Sequence, residues 1–136
     1  GYDARNWPLV ESGAILHWPH ERLFINGEWQ DGLEPLSVSS VVEKEDLLRF
    51  RDMMLRLASQ KGRDGKPAFT LPLRHSSQDP RLLSLDSISF STLLRDNGFN
   101  SRSLKWLTNY ACRGDYRSLS NQVSAWGGIH YFACRH

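Results

Sequence analysis

The chain has 136 residues, 40% hydrophobic and 24% charged; this is the composition of a globular domain with a core, and it excludes an intrinsically disordered tract. Seventeen Lys and Arg against fifteen Asp and Glu leave a formal charge of +2 spread along the chain, so no basic block marks a nucleic-acid partner. No apolar run is long enough to span a bilayer, and nothing at the start resembles a signal peptide.

Cys112 and Cys134 are too few for a disulfide framework. They read as free thiols of a reducing compartment, which favours the cytoplasm unless a targeting peptide has been removed. The chain begins at Gly1 without a methionine, which fits a tag remnant, a processed product or an excised piece.

Residues 1–40 read as strand-rich. "AILHW" (14–18) alternates imperfectly, and Pro19 ends it because proline cannot donate to a ladder. "RLFINGEWQ" (22–30) carries Asn26-Gly27, a strong hairpin signal, since a type I′ turn needs positive φ at both central residues. His17 and His20 flank Trp18-Pro19, but no cysteine pair or HExxH stands with them, so they read as ordinary histidines and no metal is expected.

Residues 41–62 hold an amphipathic helix, clearest over 43–62. Leu47, Phe50, Met54, Leu57 and Ala58 recur at spacings of three and four, the first turn is acidic, and Lys61-Gly62 close it. A helix covering a sheet is the expected role. Residues 63–85 read as an extended loop rich in proline and glycine.

Residues 86–136 read as helical. A short helix is predicted over 86–99, entered through Asp86 or Ser87 and stopped near Gly98. A second spans 101–112 with Ser101 as its cap, "RGDYRSLSN" (113–121) breaks the chain, and a last helix runs over about 119–133. The "RGD" triplet is too short to carry a cell-adhesion reading without the cysteines of a small extracellular module. Strands first and four helices after give an α+β fold rather than alternating βαβ units.

There is no GxSxG, no P-loop and no GxGxxG opening a helix after a strand. The chemistry-bearing residues gather late: Trp106, Tyr110, Asp115, Tyr116, Trp126, His130 and Tyr131. Aromatics with one carboxylate can line a pocket for an organic cation, and aromatics at helical spacing equally make core. Gly127 and Gly128, adjacent inside the last helix, each cost about 0.5–1 kcal/mol against alanine, so they mark a close approach or a kink. His130 with Asp115 is a conceivable acid–base pair, but no nucleophile or metal site stands beside it.

The run from Leu85 to Arg135 resembles bacterial FAD-dependent oxidoreductases of the flavin amine oxidase superfamily, in their spermidine-dehydrogenase-like branch. The similarity is carried by Leu85-Asp86, Gly98-Phe99, Ser103 to Trp106, the Tyr-x-Cys-Arg-x-Asp-Tyr stretch at Tyr110 to Tyr116, and Ser-Ala-Trp-x-Gly-x-His-Tyr-Phe-Ala-x-Arg at Ser124 to Arg135. It is looser before residue 85. Where the family pattern reads Asp-Asp-Tyr-Gly, this chain has Gly114-Asp115-Tyr116-Arg117.

The resemblance implies the substrate-side, non-nucleotide part of an amine-oxidase-like fold. Its candidate lining residues are Asp115, Tyr116, Trp126, His130 and Tyr131, with Gly127 and Gly128 packing closely against a neighbouring element. It implies FAD in a full-length parent and none bound by this chain alone, with the missing flavin-binding domain and a small-molecule substrate as partners. No catalytic base is implied at any position, and the isolated chain is expected to be inactive. The alternative is a stand-alone α+β binding or interaction module without redox activity.

Overall fold

The computed structural model describes residues 1, 4, 9, 11, 21–35 and 39–134. The expected strand at 14–18, with His17 and His20, lies outside the described residues. The chain divides into two compact units, 1–33 and 34–136.

The first unit holds the hairpin. Strands β1 (Arg22–Ile25) and β2 (Glu28–Asp31) pair antiparallel, with Arg22 opposite Asp31 and Phe24 opposite Trp29. Asn26 and Gly27 both take positive φ, 54° and 85°, as the type I′ turn requires. Cross-strand pairs hold the ribbon: the Phe24 and Trp29 rings lie 5.2 Å apart, and Arg22 Nε lies 3.1 Å from Asp31 Oδ1.

The second unit is helical: α1 (Val41–Ala58), α2 (Pro80–Leu83), α3 (Phe90–Asp96), α4 (Arg102–Tyr116) and α5 (Ala125–Ala133), with 3₁₀ turns at Leu73–His75 and Ser84–Ser87. Hairpin followed by helices is the α+β architecture expected, with α2 added to the four helices foreseen. Asp79 caps α2 through Arg81 N, and Pro80 occupies its first turn; this Asp-Pro pair starts a helix inside 63–85, where composition predicts a loop.

Helix α1 starts at Val41, the first residue of the expected span, where Ser40 and Glu43 form a capping box, and it ends at Ala58 instead of running to Gly62. Leu47, Phe50 and Met54 are buried as the spacing predicts, but the apolar face meets helices α4 and α5. Phe50 sits at the centre of that packing, its ring 6.4 Å from Phe90, 6.1 Å from Phe99 and 5.0 Å from Phe132. Two carboxylates of α1 also hold the start of α4. Ser103 N donates to Glu43 Oε1 at 3.2 Å, and Ser101 N donates to Asp46 Oδ2 at 3.2 Å.

The helix expected from residue 86 begins only at Phe90. Ile88 is extended and its carbonyl accepts from Ala125 N at 2.8 Å, while Phe90 N donates to Val123 O at 2.8 Å. The approaches to α3 and α5 are thus bound to each other, and Ser89 and Ser124 become their caps. This pairing also keeps residues 119–124 out of α5. Helix α4 instead runs through Arg113, Gly114 and Asp115, where a break was expected, and ends at Arg117 with φ 53°.

Candidate functional site

Helix α5 opens with the Ser124 side chain accepting from Gly127 N at 3.1 Å. Once the helix is set, Trp126 and His130 fall four residues apart on one face. Their rings stack with centroids 5.0 Å apart and planes 17° from parallel. The Phe69 ring also meets the indole, tilted by 48° with centroids 5.6 Å apart.

His130 Nε2 lies 3.0 Å from the Thr70 carbonyl. A carbonyl only accepts, so Nε2 carries a proton and donates it to Thr70. Thr70 is itself held, its N–H donating to Ser76 Oγ at 3.0 Å. The loop behind it is organised by two carboxylates. Asp64 accepts from Ser77 Oγ and Gln78 N, at 2.7 and 2.9 Å. Asp79 accepts from Arg63 N and Arg81 N, each at 2.9 Å. The Ser77 hydroxyl and the Arg63 backbone, respectively, are the leading reasons both carboxyls titrate below the usual aspartate value.

The indole nitrogen of Trp126 is buried and has no hydrogen-bond partner among the described residues. An N–H left this way costs about 1–3 kcal/mol, and an outside acceptor would reach it only if the side chains covering it moved.

The remaining predicted residues divide around this pair. Tyr116 donates from its hydroxyl to the Gly127 carbonyl at 2.9 Å, tying the end of α4 to the start of α5. Tyr131 follows Gly127 by one helical turn, half-buried, its ring edge-on to Phe132 at 4.8 Å. Asp115 is exposed near the end of α4. Its charge adds to burial in pushing the Cys112 thiol up to about 11. Trp106 and Tyr110 stack on each other on the outer face of α4, with centroids 5.4 Å apart.

The two glycines are not equivalent. A Cβ on Gly128 would overlap the Phe90 ring, whereas one on Gly127 would meet only ordinary contacts at 3.4 Å. The close neighbour of this helix is therefore α3 of the same chain. Spacing alone missed Thr70, Phe69 and the two organising aspartates; the sixty residues between Thr70 and His130 leave no periodic trace.

Compared with protein-family profiles, characterised proteins and solved structures, the chain finds no match. Its class is therefore given by its own geometry, an antiparallel hairpin followed by a helical unit. Among the described residues the only sheet is that hairpin, with no parallel βαβ crossing whose helix would receive a pyrophosphate. No group of three or more His, Cys, Asp or Glu among them could hold a metal, and none of their helices is long and apolar enough to cross a membrane.

Proposed function

We propose that residues 34–136 form the substrate-side portion of a flavin-dependent oxidoreductase acting on an amine or similar small organic substrate. The observation that carries the reading is the buried Trp126 N–H, unpartnered among the described residues, beside a histidine whose Nε2 is held by the Thr70 carbonyl. An aromatic wall with one unused donor can orient a small molecule and exclude water from it. Trp126 and His130 supply that wall, and Tyr131, Asp115 and Tyr116 are the further lining candidates that the resemblance implies. FAD would supply the electron chemistry from a domain outside these residues, and no step of it is routed through them.

A second observation supports a covered unit. Val41, Leu48 and Leu55 fall seven residues apart on one face of α1 and are 73%, 60% and 43% exposed. An apolar stripe of this kind normally meets a partner.

The test is to isolate the native gene product with an antibody raised against residues 34–136. The expected product carries flavin, exceeds the chain's 15.6 kDa, and bleaches anaerobically when a primary amine is added. A flavin-free product of the chain's own size overturns the proposal. That outcome favours the stand-alone binding module, which the separate core of this unit and the groove described next support.

A further inference from the structure

A groove of about 460 Å³ lies between α3, α4 and the loop that follows α4. It contains none of the residues placed around Trp126. Its size falls in the range of small-ligand pockets, about 300–1,000 Å³. Leu94 and Leu104, both buried, give it an apolar floor, and Leu119 extends the apolar surface toward solvent.

Its polar groups are biased toward donors. Asn109 Oδ1 accepts from Ser120 N at 2.9 Å and from Ser120 Oγ at 2.7 Å. A backbone N–H can only donate, so this fixes the orientation of the amide, and both Nδ2 hydrogens remain unused among the described residues. Lys105 lines the same groove and makes no ion pair among the described residues. Arg95 adds a guanidinium whose Nε and Nη2 bind Asp96 Oδ1 at 3.2 and 3.1 Å. No carboxylate lines the groove. Those bonded to its lining residues, Asp96 to Arg95 and Asp46 to the Ser101 N–H, are already engaged.

From this arrangement we infer that the groove binds an amphipathic monocarboxylate, its apolar body on the leucines and its carboxylate between Lys105 and Asn109. A charged acceptor is what an unpaired ammonium and an unused amide N–H share. The leucine floor selects an apolar body over a bare anion. The site is separate from the Trp126 wall and does not depend on a redox role.

The test is an amide-shift titration of the full chain with hexanoate, hexan-1-ol, hexylamine and inorganic phosphate at constant ionic strength. Hexanoate is expected to move Lys105, Asn109 and Ser120 and to bind at least about tenfold more tightly than the alcohol, a difference of about 1.4 kcal/mol. Lys105→Gln, at an exposed and unpaired position, should weaken hexanoate about tenfold and leave hexan-1-ol unchanged. Asn109→Asp keeps an acceptor for Ser120 while placing a charge against the carboxylate, and should abolish the hexanoate shifts. Equal binding of alcohol and acid, tighter binding of the amine or of phosphate, shifts elsewhere in the chain, or indifference to Lys105→Gln would each overturn the assignment.

Discussion

Gly128 of α5 lies against the Phe90 ring of α3 so closely that a Cβ at residue 128 would overlap the ring. Phe90 is fully buried and meets both Phe50 and Phe132, so it cannot retreat cheaply. Gly128→Ala gains about 0.5–1 kcal/mol of helix propensity and loses about 1–3 kcal/mol to overpacking. A net loss is expected in urea unfolding. Gly127→Ala meets only ordinary contacts and should be neutral or slightly stabilising. Phe90→Leu should reduce the cost of Gly128→Ala in a double-mutant cycle, and full additivity would show that the ring is not the obstacle.

Acid should loosen the loop that holds Thr70 under His130. Asp64 and Asp79 titrate below their usual 3.8, and Glu43 below 4.5 because the Ser40 backbone N–H leads its hydrogen bonds. A lowered folded pKa means that the unfolded chain takes up protons first. The stability these groups contribute is present above the ordinary values and lost as the pH falls through the lowered ones. Urea midpoints measured between about pH 5 and 2 should fall less steeply in Asp64→Asn than in the parent chain.

Where local chemistry decided the structure, it was readable. Asn26-Gly27 specified the hairpin, the spacing of Leu47, Phe50 and Met54 specified the inner face of α1, and Ser101 caps α4 as its position suggested. Gly98, with φ 76°, ends α3 where expected. The failures lie where a distant partner overrides local preference. The stretch 113–121 suggested a break from its start, yet Tyr116 bonded to Gly127 and Asn109 bonded to Ser120 hold the end of α4 and its exit in place. The site was legible only in part for the same reason. The four-residue spacing put Trp126 beside His130, whereas Thr70 and Phe69 reach them through a loop without periodicity.

Arg117 closes α4 in the left-handed region, φ 53° and ψ 28°. A side chain with a Cβ costs roughly 1–2 kcal/mol there, and glycine avoids that cost. Arg117→Gly should therefore raise the urea midpoint by an amount equivalent to about 1 kcal/mol. A lower midpoint would mean that the Arg117 side chain makes a contact worth more than the backbone strain.

Cys112, 1% exposed, keeps its proton up to about pH 11 in the folded chain, against 9.0 ordinarily. Burial is the larger cause and the Asp115 carboxylate the second. Between those values the unfolded chain has lost a proton that the folded chain retains, so stability is full below pH 9 and declines as the pH rises toward 11. The decline attributable to this thiol is on the order of 2–3 kcal/mol. It should appear as the difference between the parent and Cys112→Ala in urea unfolding across that range. Asp115→Asn lowers only the folded-state value, so the decline should still begin near pH 9 but be smaller and end at a lower pH.

Trp126→Phe separates the two roles of the indole. The substitution keeps a ring between Phe69 and His130 and removes an N–H that has no partner. Relief of that donor, about 1–3 kcal/mol, offsets most of the lost packing, so the change in stability should stay within about 1 kcal/mol. Phe69→Ala, at a buried position on the same stack, should cost about 3–5 kcal/mol. Under the proposed function, Trp126→Phe in the native gene product should slow amine-dependent flavin bleaching while leaving the unfolding midpoint in place. A loss of 3 kcal/mol or more with Trp126→Phe, about the cost of truncating a core ring, would instead show that the N–H finds an acceptor within the folded chain and that the Trp126 wall is structural.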